Sequence, residues 1–183
     1  MLTSAETAFA EQMVAEAKTS GHPWPGYAAA EAFLESASFS SATGQSGLAF
    51  RDHDVFGLKV PSWWTGQVDS IQTREVINGV SEMVNAEWPV FASYADCFSA
   101  RLRVLQGVAV YQQALAAQSG PEFVRLVSAE WVPQNTYAPG PAHPSYLFGQ
   151  TYWQFKQGRW STAPNRASSV LQVYNNHPEV FGS

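Results

Sequence analysis

Asn78-Gly79 stands between two runs rich in β-branched residues, Gln67 to Ile77 and Val80 to Trp88, in a chain whose other apolar residues recur mostly at helical spacing. The dipeptide supplies the positive φ angles that a two-residue type I′ turn demands, and that turn fixes the register of its flanking strands. Ile77 then faces Val80, Val76 faces Ser81, and Glu75 faces Glu82. Like charges directly opposite one another cost stability and raise carboxyl pKa values. A lone two-stranded ribbon is marginal in water, so the hairpin must lean on helices. The expected class is α+β, mainly helical, with a small β-hairpin lobe.

The helical part follows from periodicity and stop signals. Thr3-Ser4-Ala5-Glu6 has capping-box spacing, and Phe9, Met13, Val14 and Ala17 continue it, which predicts a helix to about Lys18. Gly21-His22-Pro23-Trp24-Pro25-Gly26 breaks that helix. A second one follows directly, with Ala28, Ala32 and Leu34 as its buried side, and ends near Glu35. Beyond it lies a Ser/Gly/Thr-rich stretch that reads as loop, then the apolar signature Val55-Phe56-Gly57-Leu58-Lys59 and a turn at Pro61 to Gly66. Ser93-Tyr94-Ala95-Asp96 opens a helix carrying Phe98, Leu102 and Leu105, with Tyr111 to Ala117 continuing after Gly107. Pro121 starts another, with Phe123, Val124, Leu126, Val127 and Trp131 on its buried face. Val132 to Pro144 holds four prolines and a glycine, too many for a regular element. Ser145 to Phe155 and Ala167 to Tyr174 read as the last helices. With no repeat and no linker, residues 1–183 are expected to form one domain.

Composition removes several classes of function. Fifteen acidic against ten basic residues give a net charge of -5, with no Lys/Arg cluster to grip phosphates, so nucleic acid is not an expected partner. Only 14% of residues are charged, while 7 Trp, 7 Tyr and 11 Phe leave rings enough for a core and a ligand groove. The single Cys97, in Tyr94-Ala95-Asp96-Cys97-Phe98, reads as a buried thiol and excludes an internal disulfide. Asp52-His53-Asp54 is too short a cluster for a metal site, since neighbours on an extended segment point to opposite sides. No metal and no cofactor are expected. Ser36, Ser38, Ser40 and Ser41 lack the Gly-x-Ser-x-Gly elbow of a nucleophilic serine. His22 and His177, beside prolines, read as turn residues. The N-terminus has no positively charged segment followed by an apolar run, so no signal peptide is visible, and no stretch is long enough for a membrane span.

Two carboxylates stand out by context: Glu35, where a rigid helix meets open loop, and Glu75, on a strand just before a tight turn. A pair of acids can act as proton donor and water activator in glycoside hydrolysis. Fifteen acidic residues offer many such pairs, so context alone favours ordinary solvated or capping carboxylates.

The chain also resembles the peptidoglycan-cleaving β-N-acetylglucosaminidases of glycoside hydrolase family 73. Ala32-Phe33-Leu34-Glu35-Ser36 is like that family's alanine-rich helix ending in Glu-Ser, and Asp54-Val55-Phe56-Gly57-Leu58-Lys59 is like its Asn-Leu-Phe-Gly-Ile/Val-Lys. Trp64-Thr65-Gly66, Gln72 to Gly79 (with Thr73-Arg74-Glu75) and Trp88 to Tyr94 follow in the family's order. Tyr137-Ala138 with His143-Pro144-Ser145-Tyr146 looks like an expanded Tyr-Ala-x-Asp-Pro-x-Tyr. The resemblance spans about residues 21–150 and leaves 151–183 as a helical extension.

The resemblance implies a lysozyme-like fold with the hairpin lobe facing a helical lobe across a glycan groove. It implies Glu35 as general acid, Glu75 as second carboxylate and Tyr137 as an aromatic at the cleaved sugar. The sequence departs from the family pattern in three places: Ala37-Ser38-Phe39 replaces a Gly-Trp-Gly, Asp54 an asparagine, and His143 an aspartate. Phe56-Gly57 reads as structural support beneath the site. Trp63 and Trp64, with Tyr146, are candidate substrate-binding rings, the two tryptophans fitting a sugar platform and a core role equally. The implied activity is endo-β-N-acetylglucosaminidase cleavage of β-1,4 bonds in bacterial peptidoglycan by a monomer, acting in the periplasm or outside the cell. A catalytically silent glycan-binding module and a lytic transglycosylase or muramidase on the same fold are the alternatives.

Overall fold

A computed structural model describes residues 1–36, 45–77, 80–128 and 165–183. Helix α1 (Ser4–Thr19) starts on a full capping box. The Thr3 hydroxyl accepts from the Glu6 N–H at 3.3 Å, and the Glu6 carboxylate accepts from the Thr3 N–H at 2.6 Å. Phe9, Ala10, Met13, Val14 and Ala17 form its buried face, at the spacing the sequence dictates.

Helix α2 (Pro25–Glu35) opens with proline, whose ring pre-sets a helical φ. It differs from the reading of one buried side: every residue from Ala28 to Phe33 is buried, while Leu34 is only half-buried. The helix packs against α1 and against three later elements, α6 (Gly120–Val127), α7 (Arg166–Asn176) and α8 (Pro178–Phe181). Its run of alanines permits that density, because small side chains let several helices approach together. At Gly26 even a methyl group would not fit, since a Cβ there would lie 1.9 Å from the Phe181 carbonyl oxygen. The Tyr27 ring stacks on Tyr174 of α7 with centroids 3.9 Å apart.

The stretch read as loop after Glu35 contains a further helix, α3 (Gln45–Arg51). Leu48 and Ala49 of α3 are buried, and the core they join outweighs the local Gly and Ser bias. Strands β1 (Val68–Ile77) and β2 (Val80–Pro89) pair antiparallel with Ile77 opposite Val80 and Glu75 opposite Glu82, the register of a two-residue turn. The turn residues Asn78 and Gly79 lie outside the described residues. At its base the Val90 N–H to Gln67 O bond at 2.9 Å closes the two arms on each other, and the ribbon is tied to the segments before it by Phe91 N–H to Asp52 O at 2.9 Å and Trp64 Nε1–H to Gln67 O at 3.0 Å. Arg51 of α3 adds an ion pair to Asp69 of β1.

Helix α4 (Tyr94–Gly107) is capped by Ser93, whose hydroxyl accepts from the Asp96 N–H at 3.2 Å. It breaks at Val108. A 3₁₀ turn (Ala109–Tyr111) and the short α5 (Gln112–Leu115) carry the chain on to α6, whose first turn includes Pro121. Helix α7 matches the expected Ala167–Tyr174 element, whereas α8, begun by Pro178, was not expected. The predicted Ser145–Phe155 helix and the proline-rich stretch lie outside the described residues. Among those residues, no helix is long and apolar enough to cross a membrane.

Candidate active site

Glu35 is the last residue of α2, and the chain around it is built to end there. The Ser36 N–H bonds back to the Ala32 carbonyl at 3.0 Å and its buried hydroxyl donates to the Phe33 carbonyl at 3.0 Å, satisfying acceptors the helix end would otherwise leave open. The Glu-Ser pair is thus a helix stop that presents a carboxyl at a fixed place. Burial pushes that carboxyl up to about 7, against the pull of Arg166 and with help from Glu31 and Asp54. Arg166 Nη2 lies 2.6 Å from Glu35 Oε1, with both side chains 18% exposed. A carboxyl of this kind holds its proton near neutral pH and still has solvent access, the combination a general acid needs.

Behind it lies a polar network that the sequence reading missed. Glu31, one turn earlier on α2, is buried and ion-paired to Arg101 of α4, which is completely buried. The Arg101 guanidinium sits 4.6 Å from the Phe56 ring centroid. Arg101 Nη1 reaches His22 Nδ1 at 3.5 Å, while His22 Nε2 bonds the Phe98 carbonyl at 3.1 Å. Since a carbonyl only accepts, the proton of a neutral His22 belongs on Nε2. Burial, then the Arg101 charge, push the imidazole down to about 3. His22 is therefore a core histidine rather than an ordinary turn residue: its N–H closes the end of α1 on the Ala17 carbonyl at 3.0 Å, after Gly21 at φ 78, and its ring folds back onto α4. A charge at Glu31 inside the apolar run Ala28 to Phe33 was the available signal, because an isolated charge in such a run is rarely buried without a partner.

Asp54 explains the Phe56-Gly57 signature. Its Oδ1 accepts from the backbone N–H of Phe56 at 3.2 Å and of Leu58 at 3.0 Å, curling the chain into a compact loop. Gly57 sits at φ 60 in that loop, in the left-handed region that glycine enters freely. Phe56 packs edge-on to Phe98 with centroids 4.9 Å apart. The segment is not extended, since His53 has φ 53 and its Nδ1 bonds the Phe91 carbonyl at 2.9 Å. One oxygen of Asp54 does the turn-forming work an asparagine would do, while the other, Oδ2, is buried with no partner among the described residues. Burial pushes Asp54 up to about 7 despite those backbone bonds. A raised folded pKa means that stability is full below the unfolded value near 3.8 and falls as pH rises through about 7. Asp54→Asn is therefore expected to melt at or above wild type near pH ~8, with the gap closing toward pH ~4, whereas Asp54→Ala, which gives up the two backbone bonds, loses ~1–3 kcal/mol near pH ~4 and less near pH ~8. Thermal melts across that range check both.

Cys97 is buried beside Asp54, its Sγ 3.7 Å from Oδ1, and burial holds the thiol well above its usual range. Trp63 and Trp64 meet edge-on at 6.3 Å and flank a groove of about 420 Å³ lined also by Asp96, Ser99 and Arg103. Arg103 lies over the Trp63 ring at 4.0 Å, and Trp64 meets Phe91 edge-on at 5.1 Å. Glu35 does not line that groove. The backbone of Glu75 sits two residues before the end of β1, opposite Glu82. Tyr137 and Tyr146 lie outside the described residues.

A family model described as mannosyl-glycoprotein endo-beta-N-acetylglucosaminidase matches residues 10–178. The peptidoglycan hydrolase FlgJ of Salmonella typhimurium is 30% identical over 87 residues, 47% of this chain and 28% of that protein. The chain thus spans under a third of the curated relative it matches. Among solved structures, the catalytic domain of the autolysin Auto from Listeria monocytogenes superimposes with a TM-score of 0.67 at 15% identity, covering 97% of this chain and 87% of that one. A peptidoglycan hydrolase mutant from Sphingomonas sp. A1 gives 0.63 at 19% identity, covering 92% of each chain. The glycoside hydrolase domain of Salmonella FlgJ, C-terminally truncated, gives 0.60 at 21%, covering 95% of this chain and 98% of that one. These likenesses carry the fold: a helical body with a two-stranded antiparallel sheet, lysozyme-like in class.

Proposed function

The chain belongs to the endo-beta-N-acetylglucosaminidase family and is a glycosidase, and from that premise we propose that it hydrolyses β-1,4 bonds of bacterial peptidoglycan at N-acetylglucosamine, with Glu35 as proton donor. The carrying observation is the Glu35 carboxyl, fixed at a helix end and pushed by burial up to about 7. A carboxyl protonated near neutrality can give its proton to the leaving sugar oxygen as the glycosidic bond breaks, while positive charge builds on the anomeric carbon. A binding module gains nothing from a carboxyl tuned in this way. Peptidoglycan as substrate draws support from the similar peptidoglycan hydrolases and puts the site of action outside the cytoplasm, in the periplasm or beyond the cell.

Mass spectrometry of digested, purified peptidoglycan tests the reading. New N-acetylglucosamine reducing ends are expected. Anhydro-sugar ends would establish a lytic transglycosylase, muramic acid reducing ends a muramidase, and intact strands a binding module.

Glu75 is proposed as the second carboxylate, activating water or steadying charge at the anomeric carbon, and Tyr137 as the aromatic beside the reacting sugar. Trp63, Trp64 and Tyr146 are proposed sugar-stacking rings. A hairpin fastened at its base by Gln67, Val90 and Phe91 leaves Glu75 near the far end of the ribbon. That placement suits the wider carboxyl separation of inversion, roughly 6.5–9.5 Å, better than the ~5–5.5 Å of a covalent intermediate. Attack by the substrate's own acetamido group would also tolerate a distant Glu75. Glu75→Gln is expected to lower kcat much more than it weakens glycan binding, and to be less damaging than Glu35→Gln. Proton NMR of the first-formed anomer decides the route: a β product excludes inversion, and an unchanged rate in Glu75→Gln removes the residue from the catalytic set.

A further inference from the structure

Arg166 begins α7, and α7 docks on α2 through the Tyr27–Tyr174 stack, so the first turn of a C-terminal helix is brought to the end of the helix that carries Glu35. The contact is specific: Arg166 Nη2 to Glu35 Oε1 at 2.6 Å, both side chains four-fifths buried. A guanidinium only donates, so while the contact persists Oε1 acts as acceptor, and a proton on the carboxyl is favoured on Oε2, where it leaves the stronger, carbonyl-type acceptor facing Arg166. We propose that Arg166 is a positioning residue for the reaction: its guanidinium locks the Glu35 carboxyl in one orientation and reserves Oε2 as the oxygen that delivers the proton to the glycosidic bond.

The same charge acts on ionisation. Among the described residues, the groups facing Glu35 are Arg166 from α7, Glu31 from its own helix with Arg101 of α4 paired behind it, and Asp54 from the Phe56-Gly57 loop. Glu31 and Asp54 favour the protonated acid, as does burial, while Arg166 opposes them. Arg166 thereby sets the upper pH at which Glu35 still holds its proton, and so the alkaline limb of turnover. The inference rests on Glu35 being the proton donor.

The experiment combines a carbon-13 NMR titration of the Glu35 carboxyl with pH–rate profiles on cell-wall glycan, for wild type, Arg166→Gln, Arg166→Lys and Glu35→Gln. In Arg166→Gln the Glu35 midpoint is expected to rise by about one unit, as loss of an adjacent opposite charge dictates. The alkaline limb should move up with it, and kcat should fall on the order of tenfold with KM little changed. Arg166→Lys, which keeps the charge and most of the stem, should hold the midpoint near wild type but not restore kcat, because an ammonium lacks the planar fork. It also covers the case in which the glutamine variant folds poorly. An unmoved midpoint in Arg166→Gln, or wild-type kcat in both variants, overturns the proposal alone if Glu35→Gln is inactive. Full activity in Glu35→Gln overturns the proton-donor reading, and this proposal with it.

Discussion

Glu35→Gln is expected to lower cell-wall clearing by at least ~100-fold, the contribution of a positioned general acid, while leaving the fold intact. Glutamine keeps the shape and can still accept from Arg166, but it has no proton to give. The variant should also separate a catalytic from a structural loss through its stability. Glu35 has a folded pKa raised from 4.5 to about 7, so the wild type is fully stabilised below pH 4.5 and loses stability as pH rises through 7. Glutamine does not titrate. The melting temperature of Glu35→Gln should therefore match wild type near pH ~4 and equal or exceed it near pH ~8. An inactive variant with that profile is folded and chemically disarmed. Near-wild-type turbidity clearing by the same folded protein would remove Glu35 from the role of acid.

Local signals carried much of the fold. The capping box at Thr3, the proline start at Pro121, the serine before Tyr94 and the β-branched runs around Asn78-Gly79 each specify an element through signals within a few residues. What stayed hidden depends on partners far along the chain. Helix α3 forms from a Ser/Gly-rich stretch because Leu48 and Ala49 find a core that no window of sequence displays. His22 looked like a turn residue because its flanking Gly21 and Pro23 are; its partners Phe98 and Arg101 lie more than seventy positions away. The site divides in the same way. Glu35 was legible from a helix end, whereas Arg166, which touches it, follows a stretch for which the family motifs offered no counterpart. Arg101 and Arg103 look alike as sequence, yet one is entirely buried against Glu31 and the other lies over Trp63 at a groove.

That difference sets the largest expected effect on stability. Arg101→Met keeps an apolar stem of similar length but strips Glu31 of its counter-charge inside the core, and removing one partner of a buried pair costs ~3–5 kcal/mol. At the ~2–4 °C per kcal/mol typical of chains this long, the melting temperature should drop by roughly 6–20 °C. The ion pair to Glu31, the donor to His22 Nδ1 and the packing of the guanidinium on Phe56 would go together. The charge term can be isolated by the double variant Arg101→Met with Glu31→Leu, which leaves no ion to solvate and should recover most of the loss. Exchanging the pair for apolar residues also deletes the negative charge one turn behind Glu35, which holds that carboxyl's pKa up. The recovered protein should accordingly show an alkaline limb moved to lower pH. Recovery of stability with an unmoved limb would mean that the buried pair serves packing alone, and failure of the double variant to recover would trace the loss to His22 and Phe56 rather than to a stranded charge.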